Sequence, residues 1–343
     1  MTEANERLQP YQRNDTLESL LSGLASALET ARRPERTGPE LPALFIVGPP
    51  RTGSTYCLQW LAASGAFTYP SNFIARFWTA PFVGALIQTM VVEPAFDHRG
   101  ELADARPRPV DGRSEVGKTQ GMLAPSEFWY FWRHHLPGDG DLGLDLSRAT
   151  EAHFAGFRRE LAQLCDVRGR PPVMKGKIVN HQITSFAGGF DKALFLFMDR
   201  DPLDAAWSLL EARRRIYGDE GRWWSFRTPD YDRLVGLPPM EQVMGQIQSI
   251  RRDVERQLSA LPAHRWIRLD YAELCVNPEA AFARVAGLFA ANGVELAGRN
   301  FMPPSPVSER KMPAEDLEKL EAALARFPDL GHLPWPSSSP ALE

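Results

Sequence analysis

Residues 43–55 of the chain read ALFIVGPPRTGST. The first five residues form a continuous apolar run between Pro42 and Gly48, which is typical of a short parallel strand buried on both faces. The residues after the run predict a tight turn and then a helix from Ser54 to about Ser64. Such a turn brings backbone N–H groups together at the positive end of a helix, where anions bind. This stretch therefore predicts an α/β domain with a phosphate or sulfate site after its first strand.

Further along the chain, short apolar runs alternate with helical patterns. Apolar runs at 172–175, 193–198 and 266–269 have the length of strands, and helical segments are expected near 150–166 and at 202–217. Strands joined by helices in this way form parallel sheets that are covered by helices on both faces. We therefore expect a three-layer α/β fold with a central parallel sheet.

The chain is expected to form one domain with an N-terminal extension. Leucines at helical spacing predict a helix between Thr16 and Arg33, and the proline-containing residues after it break the pattern. We interpret residues 1–40 as a helical extension and linker, and residues 41–343 as a single domain. A long irregular stretch at about 94–141 is predicted to cover the substrate, because loops of this length are uncommon away from functional sites.

The composition argues against several classes of protein. Lys and Arg number 39 and Asp and Glu 43, a net charge of −4, so the chain lacks the global positive field of nucleic-acid-binding proteins. No apolar run approaches the roughly 18 residues of a transmembrane helix. The N-terminus has no apolar signal segment, and three scattered cysteines suit neither a disulfide framework nor a zinc site. We expect a cytoplasmic protein without a metal, a membrane segment or a nucleic-acid partner.

The turn after the first strand has the spacing of a P-loop but lacks its lysine. Gly48 and Gly53 are separated as in that motif, and Ser54 stands where ATPases and kinases carry the lysine that binds the β- and γ-phosphates. The positive charge lies instead at Arg51, inside the turn. A tight turn with a hydroxyl-rich helix start would explain Gly53 and Ser54, but it would not explain Arg51 beside two prolines. An anion site is therefore the better interpretation.

A second basic motif follows a later strand. Arg200 comes directly after the apolar run 193–198, at the edge where ligands bind in open α/β sheets. Pro202 opens the next helix, and Ser208 lies about two turns along it. A guanidinium and a hydroxyl placed in this way can meet one phosphate. The alternatives are an ion pair of Arg200 with a neighbouring aspartate and a serine that only packs within its helix.

Together these motifs resemble those of the sulfotransferases that use 3′-phosphoadenosine 5′-phosphosulfate (PAPS). Residues 50–55 are similar to the 5′-phosphosulfate loop of that family, and Arg200 and Ser208 to the residues that bind its 3′-phosphate. The stretch 266–279 is similar to a later strand of the family and the Asn-Pro helix start after it. The resemblance implies a P-loop NTPase-like sulfotransferase fold and transfer of a sulfuryl group from PAPS to a hydroxyl, which releases 3′,5′-adenosine bisphosphate.

The resemblance also implies which residues bind the donor and which catalyse the transfer. Lys175 stands where cytosolic members carry a lysine beside the sulfuryl group, and Lys177 replaces the histidine that serves them as base. We expect His181 to be the base, with Glu115, Glu127 and Lys177 as alternatives. The implied donor-binding residues are Arg51, Thr52, Gly53, Ser54, Thr55, Tyr56, Arg200, Ser208 and, in a C-terminal basic motif, Arg310.

The acceptor lies outside the resemblance. We expect a small, partly apolar hydroxyl compound, such as a natural product, and an aromatic pocket formed by about 70–140. Two other functions remain open. One is a P-loop nucleotide kinase or NTPase, in which 194–199 would be a strand that ends in a magnesium-binding aspartate. The other is a non-catalytic anion-binding protein. The aromatic residues considered for the pocket are Phe73, Phe77, Trp78, Phe82 and the cluster at 128–132.

Overall fold

The structure is a computed structural model, and it describes residues 8, 12, 14–29, 40–96, 100, 104, 110, 114–139, 143–297 and 312–327. The helices in these ranges are α1 (Asp15–Glu29), α2 (Ser54–Ala63), α3 (Pro81–Val92), α4 (Trp129–His135), α5 (Glu151–Asp166), α6 (Ile183–Gly189), α7 (Pro202–Tyr217), α8 (Tyr231–Leu234), α9 (Pro239–Ser259), α10 (Tyr271–Val276), α11 (Pro278–Ala290) and α12 (Ala314–Arg326). The strands are β1 (Ala43–Val47), β2 (Ser114–Glu115), β3 (Lys118–Thr119), β4 (Gly138–Asp139), β5 (Gly143–Leu144), β6 (Val173–Lys175), β7 (Ala193–Asp199) and β8 (Trp266–Asp270). Over these ranges, no helix is both long and apolar enough to cross a membrane.

Four strands form a parallel sheet with the order β6-β1-β7-β8. Strand β1 is fully buried because it packs on both faces. Phe45 and Val47 belong to the apolar cluster on one face, and Leu44 and Ile46 to the cluster on the other. This packing explains the continuous apolar run, and it confirms the predicted three-layer α/β fold. The two-residue strands pair as the antiparallel ribbons β2-β3 and β4-β5.

The order of the strands determines where a ligand can bind. From β1 the chain crosses to β6 on one side, and the next strand of the sheet, β7, pairs with the other side of β1. In open α/β sheets, such a change of direction leaves a crevice outside the carboxyl ends of the strands. Gly48, Gly176 and Arg200 follow β1, β6 and β7 directly, so the segments that they open meet at this crevice.

Most predicted elements are observed within one or two residues of their expected bounds, but the predicted elements do not include the longest described helix. This is α9, which packs against α7 and α12. Its apolar residues recur at helical spacing from Val243 to Leu258, and its buried face also contains glutamines such as Gln242 and Gln246. Arg213 of α7 is fully buried against it and donates to the Gln242 and Gln246 side chains, at 3.0 and 3.1 Å.

The aromatic cluster at 128–132 belongs largely to the core, which corrects the expectation that it forms a wall of the substrate pocket. Phe128, Phe131 and Trp132 are buried, and the Trp132 ring lies 4.9 Å from that of Phe157 on α5. Residues three and four positions apart on a helix share one face, and this face of α4 packs on α5.

The helix expected near the N-terminus is confirmed as α1. The Ala25 carbonyl accepts a hydrogen bond of 3.2 Å from Thr79 Oγ1, and the Glu18 carboxylate accepts one of 2.7 Å from the Tyr130 hydroxyl. Helix α1 therefore lies against the segment before α3 and against α4. The division of the chain at residue 40 into an extension and a domain stays a prediction.

We predict that Gly48→Ala destabilises the fold by more than about 2 kcal/mol. Gly48 has a φ of 127°, and a Cβ there would lie 2.4 Å from the Met198 carbonyl oxygen, so strain and a backbone clash combine. Urea unfolding measures the difference. The matched control is Gly287→Ala in α11, where a Cβ has open space and better helix propensity should add up to about 1 kcal/mol. Equal stabilities of the two variants would contradict this account.

Candidate functional site

A cavity of about 450 Å³ opens at the carboxyl ends of β1, β6 and β7. Its walls carry a strong excess of positive charge, because Glu127 is the one acidic residue among the described residues that line it. Opposite charges are attracted strongly where protein walls exclude water, so the cavity is suited to a multiply charged anion. The cationic side chains of the lining are Arg51, Lys118, Arg133, Lys175, Lys177, Arg200 and Arg227.

The turn after β1 is held from behind by a buried amide. Asn180 Oδ1 accepts a hydrogen bond of 3.0 Å from the Gly48 backbone N–H, and its Nδ2 donates one of 2.9 Å to the Gly48 carbonyl. Gln257 of α9 donates in turn to the Asn180 carbonyl at 2.8 Å. Since both polar groups of the Asn180 side chain are used on one residue, the start of the turn is tied to the segment after β6.

The second glycine of the turn is required by a close aromatic contact. A Cβ on Gly53 would lie 2.1 Å from the Tyr271 ring, and Gly53 has a φ of 82°. Gly53 is the N-cap residue of α2, and Gly53, Ser54 and Thr55 all line the cavity. The first N–H groups of this helix, which have no partner within the helix, therefore lie at the cavity. The Thr52 hydroxyl, by contrast, turns inward and donates to the Pro49 carbonyl at 2.9 Å.

The two basic motifs meet in this cavity. Arg51 Nε donates a hydrogen bond of 3.0 Å to Ser208 Oγ, and an Arg200 guanidinium nitrogen lies 3.3 Å from the Arg51 carbonyl oxygen. The Arg200 guanidinium also lies over the Tyr271 ring, 4.9 Å from its centroid. Burial, together with the charges of Arg200 and Arg215, lowers the pKa of Arg51 to about 10. Two guanidiniums brought so close together are stabilised by an anion between them.

A buried lysine joins the turn to the acidic group of the cavity. Lys175, at the end of β6, is only 3% exposed, and its Nζ donates to Thr55 Oγ1 at 2.6 Å and to Glu127 Oε1 at 2.9 Å. The other carboxylate oxygen of Glu127 accepts a hydrogen bond of 2.8 Å from the Trp129 indole. Burial acts to raise the pKa of Glu127, but the charges of Lys175 and Lys118 and these hydrogen bonds outweigh it and hold the pKa below its ordinary value.

Lys177 lines the cavity next to this pair. Its Nζ donates to the Pro49 carbonyl at 2.6 Å, so it supports the turn directly. Burial and the charge of Lys175 hold the pKa of Lys177 well below its ordinary range. An anion in the cavity would therefore stabilise the charged form of this lysine.

The other bases considered from the sequence lie away from the cavity lining. His181 Nδ1 is 2.7 Å from Asp253 Oδ2 on α9, behind the turn. Glu115 lies 3.7 Å from Arg215 and its side chain is half exposed. Of the expected donor-binding residues, Tyr56 lines the cavity and Arg310 lies outside the described residues.

The aromatic part of the lining comes mainly from a segment that the sequence did not assign to the acceptor pocket. Trp223, Trp224 and Phe226 follow α7 and line the cavity together with Trp129. The four aromatic residues expected there, Phe73, Phe77, Trp78 and Phe82, are not in the lining. Phe73 and Phe77 contact each other, with ring centroids 5.2 Å apart.

Sequence reasoning also missed Asn180 and Tyr271. Tyr271 lies in the stretch 266–279, for which the sequence predicted no role in the site, and its contact with Gly53 spans more than 200 positions of the chain. Asn180 is one residue from His181, the predicted base. No local pattern indicates that this asparagine, rather than the histidine, reaches the turn.

Asp199, the candidate magnesium ligand of the kinase interpretation, is committed to arginines. It is 1% exposed, and its carboxylate contacts the Arg268 guanidinium and lies 3.3 Å from that of Arg251. It also accepts a hydrogen bond of 2.8 Å from the Arg200 backbone N–H. These contacts explain Asp199 as a structural residue that holds the end of β7 in place.

Comparison with known proteins identifies a matching family profile and similar solved structures. Residues 42–290 match the sequence profile of the Sulfotransferase family, a range that contains all four strands of the central sheet. No curated protein matches the chain in sequence. Similar solved structures include sulfotransferases from Mycobacterium avium (14% identity, 91% of this chain and 73% of that one, TM-score 0.47), Mycobacterium tuberculosis H37Rv (15%, 91% and 81%, 0.48) and Alicyclobacillus acidocaldarius (18%, 83% and 92%, 0.42).

We predict that Asn180→Asp destabilises the fold by about 1–3 kcal/mol, because the variant cannot donate to the Gly48 carbonyl and leaves a buried acceptor without its partner. Urea unfolding near neutral pH measures the loss. The matched control is Asn292→Asp, whose amide donates to the His264 and Leu288 carbonyls in a more accessible position, and which should cost less than about 1 kcal/mol. An Asn180 variant as stable as this control would argue against the role of the amide in holding the turn.

Proposed function

This chain belongs to the sulfotransferase family, and on that basis we propose that it transfers a sulfuryl group from PAPS to the hydroxyl of a small-molecule acceptor. The observation that carries the proposal is the position of Lys175. Its ammonium group lies between Thr55, in the first turn of α2, and the carboxylate of Glu127. An anion-binding turn, a cation and a base are thus adjacent, as group transfer between two oxygens requires.

The residues at the turn fit a nucleotide that carries phosphate at two positions. We propose that the backbone of Gly53 to Thr55, the Ser54 hydroxyl and Lys175 hold the 5′-phosphosulfate. Arg200 and Ser208 would hold the 3′-phosphate. Arg51, which belongs to the loop that resembles the 5′-phosphosulfate site, would reach the same phosphate from the turn, because its Nε donates to Ser208 Oγ and its carbonyl lies beside Arg200. Thr52 then acts within the turn, and Arg310 remains a proposed further contact.

The aromatic side chains beside the turn fit the base of the nucleotide. Tyr56 and Tyr271 both line the cavity, and their rings are nearly perpendicular, with centroids 6.2 Å apart. The Arg200 guanidinium lies over the Tyr271 ring. An adenine ring can contact such aromatic faces while the phosphates reach the adjacent cations.

In the proposed mechanism, Glu127 accepts the proton of the acceptor hydroxyl and Lys175 stabilises the leaving oxygen. PAPS supplies the sulfuryl group, whose bond to the bridging oxygen breaks as the acceptor oxygen bonds to sulfur. Lys175 already holds Thr55 Oγ1 and Glu127 Oε1, so it can orient both sides of the reaction and neutralise negative charge that develops on the leaving phosphate. The Trp129 indole fixes the Glu127 carboxylate from its other oxygen.

We propose Glu127 rather than His181 as the base because of where their side chains lie. Glu127 lines the cavity in contact with Lys175, whereas His181 is paired with Asp253 outside the lining. Glu115 and Lys177 are less suited. Glu115 is engaged near Arg215, and Lys177 donates to the Pro49 carbonyl.

The kinase alternative has less support than sulfuryl transfer. Asp199 is paired with Arg251 and Arg268, so it is not available as a magnesium ligand without breaking a buried ion pair. Ser54 occupies the place of the P-loop lysine. A non-catalytic anion-binding role would not account for a carboxylate held against Lys175. We also propose a cytoplasmic location, which is consistent with the free thiols of Cys57, Cys165 and Cys275.

We predict that the wild-type protein binds 3′,5′-adenosine bisphosphate and that Arg200→Ala weakens this binding more than tenfold, a change of about 1.4 kcal/mol. Ser208→Ala should weaken it by a smaller factor, because it removes a neutral group. Isothermal titration calorimetry gives both affinities. The matched ligand is 5′-AMP, which lacks the 3′-phosphate and should bind the wild type and both variants with similar affinity.

Two results would contradict this assignment. Equal losses for the bisphosphate and for 5′-AMP would show that Arg200 does not bind the 3′-phosphate. Tighter binding of ATP with magnesium than of the bisphosphate would favour the kinase alternative.

We predict that Glu127→Gln lowers kcat by about 10²–10⁴-fold and that His181→Gln changes it little. The wild-type kcat should also stay constant as the pH falls from neutral toward 5, because the pKa of Glu127 is held below its ordinary value of about 4.3 and the active carboxylate persists. A histidine base would lose activity as the pH falls through about 6.5. Initial rates at saturating donor and acceptor, with circular dichroism to verify folding, measure both effects. A drop in kcat near pH 6.5 that His181→Gln abolishes would refute the Glu127 assignment.

A further inference from the structure

A chain of side-chain contacts links the turn after β1 to the aromatic part of the cavity lining. It runs from Thr55 through Lys175 and Glu127 to Trp129, each side chain bonded to the next at 2.6, 2.9 and 2.8 Å. Beyond it, the Trp129 ring meets the Phe226 ring at a centroid distance of 5.4 Å. If the donor occupies the turn at Thr55, as proposed above, then the acceptor occupies the part beyond Glu127.

The acceptor part has aromatic walls that are fixed in place. Trp129 and Phe226 form one pair of perpendicular rings, and Trp223 and Tyr231 form another, 4.8 Å apart. The buried Gln246 side chain of α9 donates to the Trp224 carbonyl at 2.9 Å, so the backbone of the segment after α7 is tied to the core. Preformed aromatic walls favour an acceptor with an apolar or aromatic body.

The cavity lining also contains cations that are not among the proposed donor-binding residues. Lys118 on the β2-β3 ribbon, Arg133 on α4 and Arg227 after Phe226 all line the cavity. Arg133 lies one helical turn after Trp129, and the Arg227 guanidinium lies 4.3 Å from the centroid of the Tyr231 ring. The charge of Lys118 is close enough to Glu127 to affect its titration.

Two of these cations form no direct ion pair in the described part of the chain. No ion pair within 4.0 Å joins Lys118 or Arg133 to an acidic residue there, whereas exposed arginines such as Arg148 and Arg252 have carboxylates at 2.8 and 2.6 Å. Like charges gathered beside an aromatic wall repel one another, and a ligand with negative charge relieves this repulsion.

We propose that the acceptor is an apolar or aromatic hydroxyl compound that also carries an anionic group, either a carboxylate or a phosphate, and that Lys118, Arg133 and Arg227 bind this group. The aromatic walls hold the body of the molecule, and the hydroxyl lies at Glu127. This inference rests on the proposed function, and it narrows the acceptor from a partly apolar compound to an amphipathic anion.

The test compares hydroxyl compounds that share the same body and differ in one end group, which is either charged or neutral. We would use 3-(4-hydroxyphenyl)propionate and 12-hydroxydodecanoate, the methyl ester of each, and an analogue of each with a phosphate monoester in place of the carboxylate. Binding is measured by calorimetry to the wild-type protein saturated with 3′,5′-adenosine bisphosphate. At least one anionic compound should bind more than tenfold tighter than its ester, and the carboxylate and phosphate arms show which anion is preferred.

Variants then connect this preference to the cations. Arg133→Gln should reduce the preference for the anion at least threefold, and the double variant with Lys118→Gln should reduce it further, to what Arg227 alone supports. The affinity for the bisphosphate should stay unchanged in both. The control is Arg159→Gln, an exposed arginine of α5 outside the cavity lining, which should keep the full preference.

The outcomes separate this inference from the proposed function. Tight bisphosphate binding with equal affinities for anion and ester, or with no binding of any anionic compound, would overturn the inference alone. A preference that the double variant does not reduce, or a loss of bisphosphate affinity in it, would also overturn the assignment of these cations to the acceptor. Absence of bisphosphate binding to the wild type would overturn the proposed function and this inference with it.

Discussion

The Met198 carbonyl oxygen lies where a side chain on Gly48 would have to be, and this contact lets the ends of β1 and β7 approach closely. The turn that follows Gly48 can then carry Arg51 to Ser208 on α7, while Arg200 reaches the backbone of the same turn. Asn180 holds Gly48 from the opposite side through both of its side-chain polar groups. The arrangement of cations therefore depends on backbone contacts that leave no room for a Cβ.

The positive charges gathered in the cavity destabilise the protein when no ligand is bound. The pKa of Arg51 is lowered to about 10 and that of Lys177 falls well below its ordinary range, both because burial and neighbouring cations disfavour their charged forms. Glu127 offsets part of this charge through Lys175. An anionic ligand would offset more, so sites of this kind link binding to stability. We therefore propose that the cations at the turn bind the donor and that those beyond Glu127 bind the acceptor.

The features that the sequence predicted correctly are those encoded by a local pattern of residues. The apolar run of β1, the glycines after it and the spacing from Arg200 to Ser208 predicted the sheet and indicated a shared anion site, because each is a local pattern. Contacts between distant residues were not predictable in this way. The Tyr271 ring against Gly53 and the Asn180 amide on Gly48 carry no local signal. Helix α9 was not predicted although its apolar residues recur at helical spacing. The prediction of His181 as the base failed to foresee its pairing with Asp253 on that helix.

The most direct test of the central claim is a crystal structure of the protein with 3′,5′-adenosine bisphosphate. We expect the 5′-phosphate within hydrogen-bond distance of the Gly53 to Thr55 backbone and of Lys175 Nζ. The 3′-phosphate should lie between Arg200 and Ser208, with the Asn180–Gly48 pair intact. A nucleotide bound outside this cavity, or one whose 3′-phosphate contacts neither Arg200 nor Ser208, would contradict the account.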